Sequence, residues 1–424
     1  MALIKLNSRA IPDDTVIASD IADGSISTAK IATGAVVADG LGAGAVTNAK
    51  LGAGAVTVDK VSGNLGRRNM IINGAMNVSQ RGTSITGITS GTNWTADRFG
   101  FITATSGGTY TLSKTTTVPS GEGFKHSLKV DCTTAGDYST AGTVTMIRCS
   151  PFEIQDCARL AYGTSGAKKL TVSFWTRASY TGTFTALLVT HDTAQRNIIK
   201  KFTISSADTW QKVVLTYDGD TGSTFTGSDN ILGLSLDIWM GGGSSYTGGS
   251  QSSDVWRARS THNTSILEGN GTLFGTNTSH DFYITGVQVE QNDTATDFEH
   301  RSYAEELALC QRYFETSYVT GVTPGTYPQG TGAVFAVNHN STSYPSSGEL
   351  RFTTRKRATP TFVQYNSQTG TVNSVYGQDN GVNTAITSVN TISEVGIGVF
   401  YASGGGFSTV GYRYTYHYTA DSEL

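Results

Sequence analysis

The chain has 424 residues, and 30 Lys and Arg stand against 33 Asp and Glu for a net charge of −3. That balance leaves no basic field to hold a nucleic acid backbone, and no apolar run reaches the ~20 residues of a membrane-crossing helix, so neither nucleic acid binding nor membrane insertion is expected. Only 15% of the residues are charged while 50 are glycine, and sustained helical periodicity is scarce, which together predict an all-β protein with many turns.

Residues 1–10 lack the apolar region of a secretory signal, so the sequence predicts synthesis in a cytosol and export, if any, inside something larger. Residues 11–61 then repeat a ten-residue unit. Its first position holds Ile11, Ile21, Ile31, Leu41, Leu51 and Val61, and its sixth Val16, Ile26, Val36, Val46 and Val56. The fourth position is Asp14 and then Gly24, Gly34, Gly44 and Gly54, and the last carries Lys30, Lys50 and Lys60. Such a period marks an array and not a globular core. Apolar residues five apart lie roughly 140° apart on a helix, and an odd spacing puts them on opposite sides of a strand. The chain must therefore bend within each unit, and the glycines supply the place. Two small aliphatic anchors per unit bury too little within one chain to offset the entropy of ordering it. Parallel copies around a common axis would solve this, with Ile21, Ile26, Ile31, Val36, Leu41, Val46, Leu51 and Val56 as the core of a homotrimeric stalk. The other reading, a flexible Gly/Ala/Thr linker, gives no reason for the aliphatics to stay in register.

After the stalk comes the run Gly66-Arg-Arg-Asn-Met-Ile-Ile-Asn-Gly-Ala-Met-Asn-Val-Ser-Gln-Arg-Gly-Thr83, followed by Ala96-Asp-Arg-Phe99. Met70, Ile71 and Ile72 read as a short buried strand, Asn73-Gly74 as a turn, and Arg81-Gly82 as the start of a loop. In order and spacing the run resembles the opening of a module common in bacteriophage tail fibres.

Short alternating strands between Gly/Thr/Ser/Asp turns fill residues 109–290, the pattern of a β-sandwich. In 170–177, Leu170, Val172 and Phe174 face the core while Thr171, Ser173, Trp175 and Arg177 face away. In 232–239, Leu232, Leu234, Leu236 and Ile238 face in, and Gly233, Ser235, Asp237 and Trp239 face out. Further strands are expected at 185–190, 198–204, 211–217 and 281–290. The pattern is similar to the jelly-roll carbohydrate-binding modules of phage fibres and glycoside hydrolases. The four cysteines, Cys132, Cys149, Cys157 and Cys310, have no metal-ligand spacing and read as free, mostly buried thiols.

Residues 290–314 carry Ala295-Thr-Asp-Phe-Glu-His-Arg301 and then Ser302-Tyr-Ala-Glu-Glu-Leu-Ala-Leu-Cys-Gln-Arg-Tyr-Phe314. The second part predicts a short helix capped by Ser302, with Glu305 completing a capping box and Tyr303, Leu307, Cys310 and Phe314 along one packing stripe. The whole resembles the hinge of phage tail fibres. Strands are then expected at 332–338, 349–354, 360–365, 396–401 and 411–418. The last aligns Tyr412, Tyr414, Tyr416 and Tyr418 on one face, a candidate trimer core. The closing Ala420-Asp-Ser-Glu-Leu424 resembles the end of many tail fibre tips.

The fold expected is thus an all-β, elongated homotrimer. It comprises a virion attachment peptide with the first repeat (1–20), the repeat stalk (11–63), a jelly-roll carbohydrate-binding-like module (64–300), a helical hinge (301–317) and a C-terminal β-sandwich tip (318–424). No Ser/His/Asp order, nucleophile elbow, metal cluster or phosphate loop is visible, and glycoside cleavage would need two carboxylates fixed across a cleft, which the sequence does not pair. No enzyme, cofactor or metal is expected. Sugar binding asks for less: an aromatic face with polar groups around it. Trp239, Asp237 and Ser235 meet that description, as do Trp175 and Arg177. Cover by another domain or protomer is the competing reading for both faces, and the tyrosine-rich tip loops are the rival surface. The resemblance implies a virion component that holds a phage tail, baseplate or nozzle protein by its N-terminus and a host glycan or outer-membrane protein by its distal parts. A structural fibre without receptor contact and a polysaccharide depolymerase are the alternatives.

Overall fold

The described part of the repeat region turns at ten-residue intervals. A computed structural model describes residues 17–22, 25–32, 35, 46–47, 67–105, 107–192, 195–249, 254–271, 273–327, 331–338, 350–402 and 409–424. In the N-terminal unit, Asp20 N–H donates to the Ile17 carbonyl and Lys30 N–H to that of Ser27, both at 2.9 Å, closing 3-10 turns Ala18–Asp20 and Thr28–Lys30 one repeat apart. A second turn recurs at the same interval, Ser25 to Ala22 and Ala35 to Ala32, both at 3.0 Å. Over residues 17–35 the chain therefore turns twice in each ten residues. Ile21, Ile26, Ile31 and Val46 are all exposed, at 42 to 54%. Val36, Leu41, Leu51 and Val56 lie outside the described residues.

In the second unit, residues 63–424, the strand signals become a sandwich. In chain order the strands are β1 (Ser84–Ile88), β2 (Gly91–Trp94), β3 (Phe99–Ala104), β4 (Thr109–Thr115), β5 (Ser127–Thr134), β6 (Val144–Glu153) and β7 (Leu170–Ala178). They continue with β8 (Gly182–Thr190), β9 (Arg196–Ile204), β10 (Gln211–Tyr217), β11 (Leu232–Gly242), β12 (Arg257–Ala258) and β13 (Asp281–Glu290). One antiparallel sheet runs β1-β4-β5-β13-β7-β10 and the other β12-β9-β8-β11-β6-β3-β2. Period-two alternation explains the layers: Leu170, Val172 and Phe174 from the first sheet and Leu234, Leu236 and Ile238 from the second are fully buried in one shared core. Phe174, Phe184 and Phe202 interlock there, with ring centroids 5.2 and 5.6 Å apart. All four cysteines are free and buried.

Seven further strands make one more sheet: β14 (Phe314–Thr316), β15 (Val334–Val337), β17 (Thr361–Asn366), β18 (Ser374–Gly377), β19 (Asn383–Asn390), β21 (Val399–Ala402) and β22 (Arg413–Asp421), while β16 (Leu350–Arg351) and β20 (Gly396–Ile397) pair separately with each other. Its order is β14-β22-β18-β19-β21, and β15 and β17 also pair with β22. The tyrosine row on β22 lies in the core of its own chain and is not the trimer core expected of it. Tyr414, Tyr416 and Tyr418 are buried with Ala336, Phe352, Val375, Ile386 and Ile397 of the same chain.

Two local expectations change. Residues 70–72 form no strand: Met70 N–H bonds to the Val289 carbonyl at 2.8 Å, and Met70 and Ile71 are buried as an irregular segment along β13. The helix does form, over Tyr303–Gln311, with Ser302 Oγ accepting from Glu305 N–H at 3.2 Å. Its packing face differs from the apolar stripe, since Tyr303 is 46% exposed and Phe314 belongs to β14, while Glu306 and Cys310 are buried. Glu306 is drawn in because it accepts from Asn73 N–H and from Arg301 Nη1, the latter at 3.0 Å.

The helix, β14 and the last residues of β22 meet the segments that open the sandwich in a buried ionic cluster. Arg98, fully buried, pairs with Glu423 and lies 3.4 Å from the Tyr313 ring. Arg81 reaches Asp97 at 3.7 Å, Asp421 at 3.1 Å and Glu423 at 3.4 Å, with its guanidinium 3.5 Å from the Phe314 ring. Gln80 ties Asp97 to the Phe314 carbonyl at 2.6 and 2.7 Å.

Candidate functional site

β13 carries a bulge, with its register against β7 shifting between Thr285 and Gln288. Gly286 sits inside it at φ +62°, where a Cβ would lie 2.5 Å from the Phe124 ring, so glycine is what lets that ring settle on the strand. Phe124 then joins a cluster, edge-on to Phe298 at 5.0 Å and tilted to His300 at 5.5 Å. Below them, Trp175 on β7 is half-buried and opposite Lys212 of β10. The result is a groove of about 240 Å³ lined by Glu122, Trp175, Lys212, Asp297, Phe298 and His300.

An indole floor with an aromatic wall suits the apolar face of a pyranose, and the polar groups around it suit its hydroxyls. Glu122, Lys212, Asp297 and His300 are exposed. Neither carboxylate sits in the apolar surroundings that a general acid for glycoside cleavage needs.

Arg177 lies two residues from Trp175 on the same face. It pairs with Asp208 at 2.5 Å and covers the Tyr283 ring at 4.8 Å. Tyr283 in turn meets Trp210 edge-on at 6.1 Å and Lys129 Nζ at 5.5 Å. Trp175 and Arg177 are thus brought together on one aromatic and charged sheet face, joined by residues that sequence reasoning missed. Tyr283 was findable, since it has outward parity between the inward Phe282 and Ile284; the loop residues were not.

Trp239, Asp237 and Ser235 share the outer face of the other sheet, but they do not form an open surface. Trp239, 5% exposed, is buried against Tyr246, Ile266 and Leu267. Arg148 binds both oxygens of Asp237, at 2.9 and 3.0 Å. Ser235 Oγ lies 2.8 Å from His191 Nε2, a pair the sequence did not suggest. Burial pushes the His191 imidazole down to about 4, against the pull of Asp237 and with help from Arg148 and Arg259, so it is neutral at pH 7. This is no hydrolytic triad, because the carboxylate that would orient the histidine faces Arg148.

No family model matches the chain, and no curated protein matches it. Among solved structures it is similar to the enzymatically active domain of tailspike protein 4 of bacteriophage CBA120, at 11% identity and a TM-score of 0.26, over 53% of this chain and 21% of that one. It is also similar to a xylan-binding domain of Paenibacillus barcinonensis, at 9% identity and a TM-score of 0.25, over 55% of this chain and 99% of that one. A family 22 carbohydrate binding module of Clostridium thermocellum gives 13%, a TM-score of 0.24, and 51% and 98%. At these values the likenesses decide neither fold nor function. Among the described residues there is no cluster of three or more metal-ligating side chains, and no helix is long and apolar enough to cross a membrane.

Proposed function

We propose that this chain is a non-catalytic glycan-binding protein, and that it serves as a tail fibre by which a bacteriophage holds its host. The observation that carries the binding is the groove over Trp175, where an indole face, an aromatic wall and four exposed polar groups converge. The phage assignment rests on the sequence signatures at 66–83, 96–99, 295–314 and 420–424. Their meeting in the cluster around Arg81 and Arg98 is coherent with one inherited module boundary. In this reading residues 1–10, outside the described residues, hold a tail, baseplate or nozzle protein, and residues 11–63 form the stalk.

Trp175→Ala is expected to weaken binding to a host surface polysaccharide about tenfold, since it removes stacking and burial together. Trp239→Phe is expected to leave it unchanged. Affinity electrophoresis against purified host polysaccharide checks both, and unchanged affinity in a folded Trp175→Ala would remove the site. Release of reducing ends from that polysaccharide would instead favour a depolymerase. No competition with virus for host cells would favour a purely structural fibre.

The exposed Ile21, Ile26, Ile31 and Val46 support the trimer, because aliphatics kept in register and left uncovered by their own chain need another chain to bury them. Light scattering at micromolar concentration is expected to give three times the 44.8 kDa chain mass. Ile26→Asp with Val46→Asp is expected to shift it toward monomer; a monomeric wild type would refute the stalk.

A further inference from the structure

The loop at 121–126 lines two clefts, one on each side of Phe124. Beyond the Trp175 groove, Phe124 borders a second cleft of about 460 Å³ with Asn77, Lys114, Lys125, His126 and Tyr303 around it. That volume is in the range of small-molecule sites, roughly 300–1,000 Å³. Its chemistry is the reverse of its neighbour's. Glu122 and Asp297 line the first cleft, whereas among the described residues no carboxylate lines the second.

Three cationic or titratable side chains converge there, and among the described residues none of them is in an ion pair. Lys114, half-buried on β4, donates to the Asn77 carbonyl at 2.8 Å, and His126 Nδ1 is 3.1 Å from Asn77 Oδ1. Asn77 thus fixes both side chains in place. Burial holds the Lys114 ammonium below its ordinary value despite the Asp97 charge. Burial, and then Lys114 and Lys125, push the His126 imidazole down as well. Cations gathered without a counter-charge are costly until an anion arrives, and the anion recovers that cost on binding. Tyr303, 46% exposed, and Phe124 add ring surface for the body of a sugar.

We propose that the Lys114 cleft is a subsite for an anionic sugar residue, one step along the same glycan from the residue that stacks on Trp175. This rests on the glycan-binding reading above and names its substrate class: an acidic polysaccharide in which a neutral residue neighbours a charged one. A carboxylate and a sulfate present the same chemistry to two ammonium groups.

The full-length protein is run in affinity electrophoresis against polygalacturonate, its methyl ester, dextran sulfate and dextran. Retention is expected on polygalacturonate or dextran sulfate, and which of them retains it tells carboxylate from sulfate. Little retention is expected on the two neutral polymers. Lys114→Gln with Lys125→Gln should weaken retention about tenfold, the loss of one or two charge-assisted hydrogen bonds. The exposed Lys125→Glu, which leaves the half-buried Lys114 intact, should weaken it too. Lys169→Gln, elsewhere on the surface, should not. Equal retention on polygalacturonate and its ester, equal loss with Lys169→Gln, or no effect of the Lys114 and Lys125 variants would overturn the anionic subsite. Neutral binding that Trp175→Ala abolishes would at the same time keep the glycan-binding reading. No retention on these or on host polysaccharide overturns both.

Discussion

Glu423→Ala is expected to destabilise the second unit by about 3–5 kcal/mol, the range for removing one partner of a buried ion pair. Arg98 is fully buried, and Glu423 is its carboxylate. Arg98 Nη2 also donates to the Pro151 carbonyl, but a neutral acceptor does not balance the charge. Glu423 is also 3.4 Å from Arg81, so its loss leaves that cation to Asp97 and Asp421. Burial holds the Asp97 carboxyl above its ordinary value against the pull of Arg81, so it is a weak substitute. The variant should show a lower urea midpoint with an unchanged slope. A cycle with Arg98→Met should recover much of the loss, because the double variant no longer strands a charge. A cost under ~1 kcal/mol for Glu423→Ala would mean that water or a neighbouring group already solvates Arg98.

The same cluster explains why its segments were conspicuous in the sequence while their purpose was not. Arg81, Ala96-Asp97-Arg98-Phe99 and the C-terminal Asp421 and Glu423 stand out as motifs, and a motif of charged residues invites a binding role. In the structure they bind one another. Strands were legible for a simpler reason: β7 and β11 each turn one face to the apolar core, and an apolar face writes a period of two. That period also marked Trp175 and Trp239 as outward, correctly for both. It could not tell which face is covered, because Tyr246, Ile266 and Leu267, which cover Trp239, share no period and their contacts are tertiary. The groove was hidden for a related reason. Glu122 and Phe124 come from one loop, Asp297, Phe298 and His300 from another, and Gly286 in β13 decides where the Phe124 ring can sit. Asp297 to His300 did lie inside a recognised signature, read as the approach to a hinge. The structure gives those residues a second location, on the wall of a groove whose floor is Trp175.

Lys356→Met is the companion test in the C-terminal sheet, with an expected loss of about 3–5 kcal/mol at pH 7. Lys356 and Glu315 are both buried and 2.6 Å apart. Burial pushes the Glu315 carboxyl up, but Lys356, the Thr353 N–H at 2.9 Å and the Tyr418 hydroxyl at 2.8 Å outweigh it, and the net shift is downward. A depressed carboxyl contributes stability that is fully present above its unfolded value, about 4.3, and is lost as pH falls through the folded value. In the wild type Glu315 is therefore ionised in both states between pH 7 and about pH 5, and its contribution is constant there. In Lys356→Met the stranded carboxylate keeps only its neutral donors, so burial dominates and the folded state takes up a proton in that same window. The proton relieves the penalty. The gap between wild type and variant should thus be widest at pH 7 and shrink toward pH 4.5, read as the difference of two urea titrations at each pH so that unlinked groups cancel. A gap that is constant over this range would show that the cost of Lys356→Met lies in packing against Phe352, whose ring is 5.1 Å from Lys356 Nζ, and not in the charge left on Glu315.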